Sequence, residues 1–259
     1  MSPFCLLRSV ALLMAASAST LTLPAQADAT GFNGYTLLTT NYIGRGLAQS
    51  VGNPSVQTEF EYIAENGFYA DLDMTSINWI DQLYPGDSVS VEIDVVLAFR
   101  QRFADDFLWK AGFLRLQFPG RYVEQTPPVD EPHTTEMFGY LAWKSISAKL
   151  NYSLSNAFGT PDSKGSWYLD ISASTTIDEH WFLSAHIGRK QARGRHPDSG
   201  FENRRTSYND FKLATAYLLP EQVSVEVARS WTTANPDYYT LNDHNVAGHH
   251  WALTVKKAF

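Results

Sequence analysis

Acidic side chains recur at alternate positions in three neighbouring segments of the sequence, and together they form one group: Glu59, Glu61, Asp71, Asp73, Glu92 and Asp94. In an extended strand, residues two apart point to the same side. If the three segments are adjacent strands, these carboxylates line one surface, which we call the acidic wall. Because carboxylates that line a narrow aqueous passage favour cations, the spacing predicts a cation-preferring interior.

Further charged residues fall on the same predicted face but are more dispersed: Arg100, Lys110, Lys149, Asp170, Lys212 and Glu226. We expect them to line the same interior as the acidic wall. Two outcomes are open. Either this interior stays accessible to water, or opposite charges pair across it and fill it, with Glu226 and either Lys212 or Lys256 as candidate partners.

Motifs for enzymatic chemistry are absent from the sequence, which contains no GxSxG, HExxH, CxxC or phosphate-loop pattern. His186 lies near Ser184, a combination that a lipid hydrolase on a barrel wall could use. Such a pair would have to face the lipid, whereas the alternation places both residues inside. The adjacent His249 and His250 point to opposite sides of a strand and make a poor chelate. We therefore expect no enzymatic activity, no cofactor and no metal site.

The elements that would position these residues are short strands. Polar and apolar side chains alternate through segments bounded by turn-forming residues, which indicates a single all-β domain. The predicted strands span 35–47, 54–65, 67–77, 89–101, 107–118, 134–144, 146–155, 166–177, 181–190, 207–219, 222–232 and 249–259. In the fifth strand the alternation fails near Leu114, Arg115 and Leu116, where a β-bulge would restore it.

Connections between these strands alternate in length. Tight turns are predicted at 66–67, 104–106, 144–145, 178–180 and 220–221, and long loops at 46–53, 78–88, 119–133, 156–165, 191–206 and 233–248. Transmembrane barrels show this asymmetry, with short periplasmic turns and longer outer loops. We predict a transmembrane antiparallel up-and-down β-barrel of about 12 strands. An even strand number places both termini on the short-turn, periplasmic side.

Aromatic residues cluster near the predicted strand ends. The tight-turn end carries Tyr62, Phe68, Phe99, Phe107, Trp143, Trp181, Tyr217 and Phe259, and the long-loop end carries Tyr42, Trp79, Trp167, Trp231 and Trp251. Two aromatic belts separated by aliphatic residues are typical of a barrel at the two membrane interfaces. The competing interpretation is a β-sandwich with aromatic residues capping its strands, because alternation alone does not say whether the apolar face is buried or lipid-exposed.

The last predicted strand ends at Phe259, with Trp251, Leu253 and Val255 on one face. Chain termini fray unless something holds them. In a barrel the last strand is held because it pairs with the first to close the sheet. We expect this strand, ending in Phe259, to be recognised by the barrel assembly machinery.

The beginning of the sequence has the pattern of a secretory leader, with Arg8 before an apolar run and Ala25-Gln26-Ala27 as a cleavage signal. We expect residues 1–27 to be removed, together with the only cysteine, Cys5, and residues 28–259 to form one barrel domain. Loss of Arg8 lowers the basic residues from 20 to 19 against 27 acidic ones, so the net charge changes from −7 to −8. This acidic balance argues against nucleic-acid binding.

A familial pattern occupies the N-terminal part of the predicted barrel. Residues 41–50 read NYIGRGLAQS, residues 53–57 read NPSVQ, and residues 66–70 read NGFYA. This pattern resembles the TorF family of outer-membrane porins, which typically has a Tyr, an Arg-Gly, a Gln-Ser and a Pro-x-x-Gln at this spacing. The similarity continues through residues 118–120, Glu136 and residues 167–169 to the final Phe259, while Thr58 and Asp71 depart from the family pattern.

The resemblance implies an outer-membrane β-barrel that acts as a passive channel. Within it, Arg45 and Gly46 are expected at the rim of the first loop, with Gly46 allowing a bend. Arg45 would face the lumen or the loop carboxylates, or else be solvated.

From the residues and the resemblance together, we expect a monomeric barrel in the bacterial outer membrane that passes small hydrophilic solutes or ions, with a mild preference for cations. Its partners would be outer-membrane lipids and these solutes. The alternatives are a non-conducting barrel that serves structure or surface interaction through its loops and, less favoured, an outer-membrane lipid hydrolase.

Overall fold

The computed structural model describes residues 30–84, 86–103, 106–124 and 130–259. The predicted leader, residues 1–27, lies outside the described residues. Twelve strands form one closed antiparallel barrel. They are β1 (Gly31–Thr39), β4 (Ser55–Ile63), β5 (Phe68–Ser76), β6 (Val91–Arg102), β7 (Phe107–Gln117), β8 (Thr134–Trp143), β9 (Ile146–Ser153), β10 (Trp167–Thr176), β11 (Trp181–Gln191), β12 (Tyr208–Leu219), β13 (Val223–Thr232) and β16 (His250–Ala258).

The barrel closes where the first strand meets the last, as the C-terminal pattern predicts. Strand β1 pairs with β16 from Tyr35↔Ala258 to Thr39↔Thr254. Beyond the ladder, Gly34 and Phe259 exchange two backbone hydrogen bonds of 3.0 Å. A Cβ at Gly34 would lie 2.7 Å from the Phe259 ring, so the missing side chain makes room for the terminal aromatic residue. The all-β fold class and the strand number are therefore confirmed.

Eleven of the twelve barrel strands lie within two residues of their predicted bounds, and the first strand was predicted wrongly. It spans Gly31–Thr39 rather than 35–47. Residues 40–54, which we call the first loop, leave the barrel wall and form the small hairpin of β2 (Ile43–Gly44) and β3 (Leu47–Ala48). The Asn41 side chain fixes this exit by accepting hydrogen bonds from Ser50 Oγ at 3.1 Å and from the Gly52 amide at 3.3 Å.

Strand β7 contains no bulge, so that expectation is also wrong. Its pairing with β6 runs without interruption from Ile93↔Gln117 to Arg102↔Leu108. The alternation fails because Leu114 and Leu116 face the interior and are 2% and 0% exposed. Their partners there are apolar residues of the long loops, so the inner wall carries leucine where a water-filled lumen would carry a polar side chain.

The two faces of the barrel differ sharply in chemistry. The outer face exposes large apolar side chains, including Leu97, Phe113 and Leu213, each more than half exposed. The inner face buries Glu92, Asn151 and Asp210, each 1% exposed. A soluble β-sandwich would bury the apolar row. The exposure of this row contradicts the sandwich interpretation.

Aromatic side chains at the tight-turn end contact one another laterally around the barrel. The ring pairs are Phe32–Tyr62, Phe60–Phe259, Phe68–Phe99, Phe107–Trp143 and Trp181–Tyr217, with centroids 4.8 to 6.1 Å apart. At the long-loop end, Trp251 is exposed and Trp231 stacks on Phe211. Tyr42 and Trp79 were wrongly assigned to this second belt, since they are 4% and 1% exposed and belong to the first loop and to the next long loop.

The long-loop end of the barrel is filled by three structures that fold inward, and we call them together the loop plug. They are the β2–β3 hairpin, the short helix α1 (Trp79–Leu83), and the hairpin of β14 (Thr240–Leu241) and β15 (His244–Asn245). Backbone hydrogen bonds join them: Trp79 N donates to Gln49 O, and Ala48 N donates to Val246 O. The plug packs against inward wall residues such as Leu116.

Every helix in the described part of the chain is too short or too polar to span a membrane.

Candidate functional site in the barrel interior

The structure places the six carboxylates of the acidic wall on three adjacent strands, β4, β5 and β6. In the sheet, Glu59 pairs with Asp73 and Asp73 with Asp94, while Glu61 pairs with Asp71 in the row nearer the turns. Carboxylate oxygens of Glu59, Glu61 and Asp71 all lie within 4.8 Å of one another. The wall therefore concentrates negative charge on one side of the interior.

Neighbouring polar groups hold part of the acidic wall in place. Asp73 accepts a hydrogen bond from Thr75 at 2.7 Å and another from the Gln57 amide. The Tyr35 hydroxyl donates to Glu59 at 3.1 Å, and the Tyr69 hydroxyl donates to Asp71 at 3.3 Å. These hydrogen bonds restrict the motion of the carboxylate side chains. The negative charges of the acidic wall are therefore held in fixed positions.

The basic residues predicted to line the interior are dispersed over several strands of the barrel. Lys110, Lys149 and Lys256 rest on aromatic rings, at 4.2 Å from Tyr69, 4.9 Å from Phe138 and 3.7 Å from Tyr35. Such cation–π contacts hold ammonium groups over ring faces. Arg100 is 7% exposed and pairs in the sheet with Lys110.

One of the predicted charge pairs forms. Lys212 Nζ lies 2.8 Å from Glu226 Oε1, whereas Lys256 sits over Tyr35 instead. Both lysines and Glu226 border a cavity of about 70 Å³ inside the barrel, which also reaches Tyr42 and Gln57. Charge pairing therefore occurs between β12 and β13, outside the three strands of the acidic wall.

His186 is held between two carboxylates on the inner wall. Its Nδ1 lies 2.8 Å from Asp170 Oδ2 and its Nε2 lies 2.7 Å from Asp210 Oδ1. The Tyr168 hydroxyl also contacts Asp210, at 3.0 Å. Both ring nitrogens carry a proton in the imidazolium form, which is the form that satisfies two carboxylates. With both nitrogens occupied by aspartates, the inward Ser184–His186 combination gives a lipid hydrolase no support.

The first loop crosses the barrel interior through its Arg45–Gly46 turn. Arg45 is not at a solvated rim but is 6% exposed. Its two terminal nitrogens donate to the two oxygens of Glu136 at 3.1 and 2.7 Å, and its guanidinium lies 4.8 Å from the Tyr168 ring centre. Its carbonyl accepts from the Tyr208 hydroxyl at 2.8 Å. One turn thus contacts β8, β10 and β12.

Glu136 is the central acceptor of this contact. Besides Arg45 it accepts a hydrogen bond from Asn151 at 2.8 Å and a longer one from Ser153 at 3.4 Å. Burial by itself lowers the pKa of the Arg45 guanidinium, but the charge of Glu136 outweighs burial and raises that pKa above its ordinary value. Arg45 therefore stays charged, and the pair acts as a permanent latch between the first loop and the wall.

Gly46 is tightly enclosed in the same turn. Its φ is +80°, and an added Cβ would lie 2.3 Å from Asp210 Cβ and 2.8 Å from Thr232 Cγ2. Gly52 in the same loop has φ +79° and no atom within 4 Å of an added Cβ. The two glycines therefore share their backbone requirement and differ in available space.

We expect Gly46→Ala to loosen the first loop more than Gly52→Ala. The unfavourable φ costs both variants about 1–2 kcal/mol, and overpacking adds roughly 1–3 kcal/mol for Gly46 alone. Hydrogen exchange of the loop amides in detergent micelles measures the difference. Equal exchange in the two variants would mean that the turn is not enclosed.

Sequence reasoning missed the latch partner Glu136 as an interior group, and it missed Tyr168 and Asp210 as contacts. Glu136 stands at an inward position of β8, so alternation alone could have placed it in the lumen. Its partner was beyond reach, because Arg45 is 91 residues away and lies on a loop.

Comparison with known proteins supports the fold. The sequence profile of a family described as a bacterial protein of unknown function (Gcw_chp) matches residues 25–259. No curated protein matches the chain. Among solved structures, the COG4313 outer membrane channel from Pseudomonas putida F1 is similar with a TM-score of 0.55 at 10% identity, over 95% of this chain and 100% of that chain.

Two porins are also similar. A KdgM porin gives a TM-score of 0.51 at 10% identity, over 88% of this chain and 99% of that chain. A NanC porin gives a TM-score of 0.51 at 9% identity, over 88% of this chain and 98% of that chain. At these identities the similarity establishes the architecture: the barrel has the fold of outer-membrane channels and porins.

Proposed function

The chain belongs to the Gcw_chp family of bacterial proteins, and we propose that it forms a narrow passive channel in the outer membrane. The channel passes small hydrophilic solutes or ions and has a mild preference for cations. The proposal rests on one observation: a single closed sheet exposes its apolar row outward and encloses its charged residues. Apolar side chains on the outer face are suited to lipid, and the charged interior is suited to water.

The cation preference is supported by the acidic wall and by the way the basic residues are engaged. Lys212 is paired with Glu226, and Lys110 and Lys256 rest on tyrosine rings. A wall of carboxylates beside a narrow passage attracts cations and repels anions. The first loop, which crosses the interior at Arg45, narrows the path in this proposal.

Neutralising the acidic wall should lower the cation preference. We expect Glu59→Gln, Asp71→Asn and Asp94→Asn, combined in one protein, to move the reversal potential in a KCl gradient towards zero. Planar bilayer recordings measure it. Glu179→Gln, which removes an exposed carboxylate from a turn, is the control and should change nothing. Unchanged reversal potentials in the triple variant would remove the claim of cation preference.

A non-conducting barrel is the second candidate, and the loop plug favours it. Leu47, Trp79 and Ile80 are at most 1% exposed inside the barrel mouth, where a wide pore would hold water. Solute flux into liposomes decides between the two functions. Flux of small solutes supports the channel, while a sealed vesicle with correctly folded barrel supports a structural or surface role. Release of fatty acid would instead support the lipid hydrolase.

The remaining expectations belong to the same proposal. An outer-membrane channel would be exported through a cleaved leader, here residues 1–27, and would have both termini in the periplasm. We also include in the proposal the resemblance to the TorF family of porins and a monomeric state. Phe259 sits in the aromatic belt beside Phe60, where the assembly machinery would meet a terminal strand. Crosslinking during assembly, with Phe259→Ala as the impaired variant, tests that partner.

A further inference from the structure

Two carboxylates at the loop end of the acidic wall differ from the rest because three of their four oxygens accept no hydrogen bond from other described residues. Glu92 is 1% exposed and Asp94 is 8% exposed. Both carboxylate oxygens of Glu92 and the Oδ1 atom of Asp94 are without a hydrogen-bond partner among the described residues. A buried carboxylate without a partner is costly. The two residues are successive inward positions of β6, so their carboxylates share one side of the interior.

Amide side chains from other elements supply a second, independent observation. Gln49 of the first loop is 0% exposed, and neither polar atom of its amide has a partner within the described chain. Gln57 is 4% exposed, and its Oε1 is likewise unmatched there. Gln57 lies in one lateral row with Thr75 and Glu92. Two unused amide oxygens therefore accompany the carboxylates.

The main chain brings Gln49 to the loop end of β6. Its carbonyl accepts hydrogen bonds from the amides of Asn78 and Trp79, at 3.0 and 3.1 Å. The preceding Ile77 amide donates to Ser90 at 2.9 Å, two residues before Glu92. The backbone N–H of Gln49 also donates a hydrogen bond to the Tyr42 carbonyl. The first loop therefore roofs these carboxylates.

Nearby positive charge does not neutralise the group. The guanidinium of Arg45 is committed to both oxygens of Glu136, so the latch contributes little net charge. Asp73 adds a further carboxylate beside the group, and its hydrogen bonds come from the neutral Thr75 and Gln57. Carboxylate and amide oxygens in a site of net negative charge are the ligands that Ca²⁺ prefers, and Ca²⁺ accepts irregular geometry where Mg²⁺ keeps its water.

We propose that Glu92, Asp94, Gln49 and Gln57 bind one Ca²⁺ ion between the barrel wall and the first loop. The ion ties the loop to β6, two strands away from β8, where the Arg45–Glu136 latch holds the same loop. Bound Ca²⁺ stabilises the docked loop because the ion binds only when the loop and wall ligands are together. The site does not depend on whether the barrel conducts.

Calorimetric titration of CaCl2 into the folded barrel, depleted with chelator and held in detergent micelles, tests the site. We expect one saturable site per chain, a higher thermal midpoint with Ca²⁺ and slower hydrogen exchange in the first loop. Glu92→Gln and Asp94→Asn should each weaken the affinity at least tenfold. Glu61→Gln, which removes an acidic-wall carboxylate near the turns, is the matched control and should bind normally.

Other outcomes overturn the proposal. If Ca²⁺ has no effect on the wild-type barrel, the two carboxyl groups share a proton instead of an ion. If Glu61→Gln loses binding while Glu92→Gln keeps it, the ion belongs to the Glu59–Glu61–Asp71 group. Gln49→Met removes the amide oxygen from the first loop, keeps a side chain of similar volume and leaves the barrel wall unchanged. This variant therefore tests the site even if the Glu92 and Asp94 variants misfold. Normal Ca²⁺ affinity in folded Gln49→Met would remove the loop from the site.

Discussion

Replacing Arg45 with alanine is expected to release the first loop from the barrel interior. Removing one partner of a buried ion pair costs about 3–5 kcal/mol, because the other charge is left buried without compensation. Here Glu136 would keep, among the described residues, the hydrogen bonds from Asn151 and Ser153. Arg45 is the only charged residue among residues 40–54, so the loss should appear as local opening of the first loop rather than unfolding of the barrel.

Two measurements follow the release of the loop in Arg45→Ala. Hydrogen exchange of residues 40–54 should become fast while the barrel strands stay protected. If the barrel conducts, single-channel conductance should rise, since the Arg45–Gly46 turn no longer crosses the path. The double variant Arg45→Ala/Glu136→Ala should recover part of the loss, because neither charge is then left unpaired.

An exposed ion pair supplies the control for this experiment. Lys144 and Asp106 lie 3.6 Å apart at the turn end, with both side chains more than half exposed. Pairs of this kind contribute about 0–1 kcal/mol, so Lys144→Ala should leave loop exchange and conductance unchanged. Wild-type protection of the first loop in Arg45→Ala would show that the latch does not hold it.

Alternation along the strands made most of the barrel predictable. Wherever an apolar outer face meets a polar inner face, as at Leu97 and Glu92, a period of two residues fixes which side each residue occupies. The register then follows, because a slip of one residue would turn every charge outward. Tight turns and the terminal Phe259 added the strand number and the closure. The acidic wall could be predicted for the same reason.

The loop plug could not be predicted from the same pattern. The first strand was extended too far because Tyr42 and Leu47 look like strand residues, yet they are buried inside the barrel mouth. At Leu114 and Leu116 the broken alternation predicts a bulge, but both side chains face inward and pack against the loop plug. In each case the partner is distant in sequence and lies on a loop, where local periodicity carries no information about contacts.

Placing arginine on the outer face halfway between the aromatic belts should destabilise the barrel strongly. Val255 lies on β16 midway between Trp251 and Phe259 and is 44% exposed. Its sheet neighbours Leu38 and Val225 are also apolar. An arginine at the midplane of the hydrocarbon costs about 2–4 kcal/mol, and near the interface about 0–1 kcal/mol. Val255→Arg should therefore lose far more stability than an equal change at the belt.

Leu219→Arg provides the comparison, since Leu219 is an exposed apolar residue at the turn end of β12. Val255→Ala separates the loss of the side chain from the gain of charge.

The most direct measurement of the lipid-facing surface is the difference in free energy of unfolding between Val255→Arg and Leu219→Arg, obtained by denaturant titration in phospholipid vesicles. A barrel embedded as described gives a difference of about 1–4 kcal/mol, with Val255→Arg the less stable. Equal stability of the two variants would contradict the assignment of the apolar face to hydrocarbon.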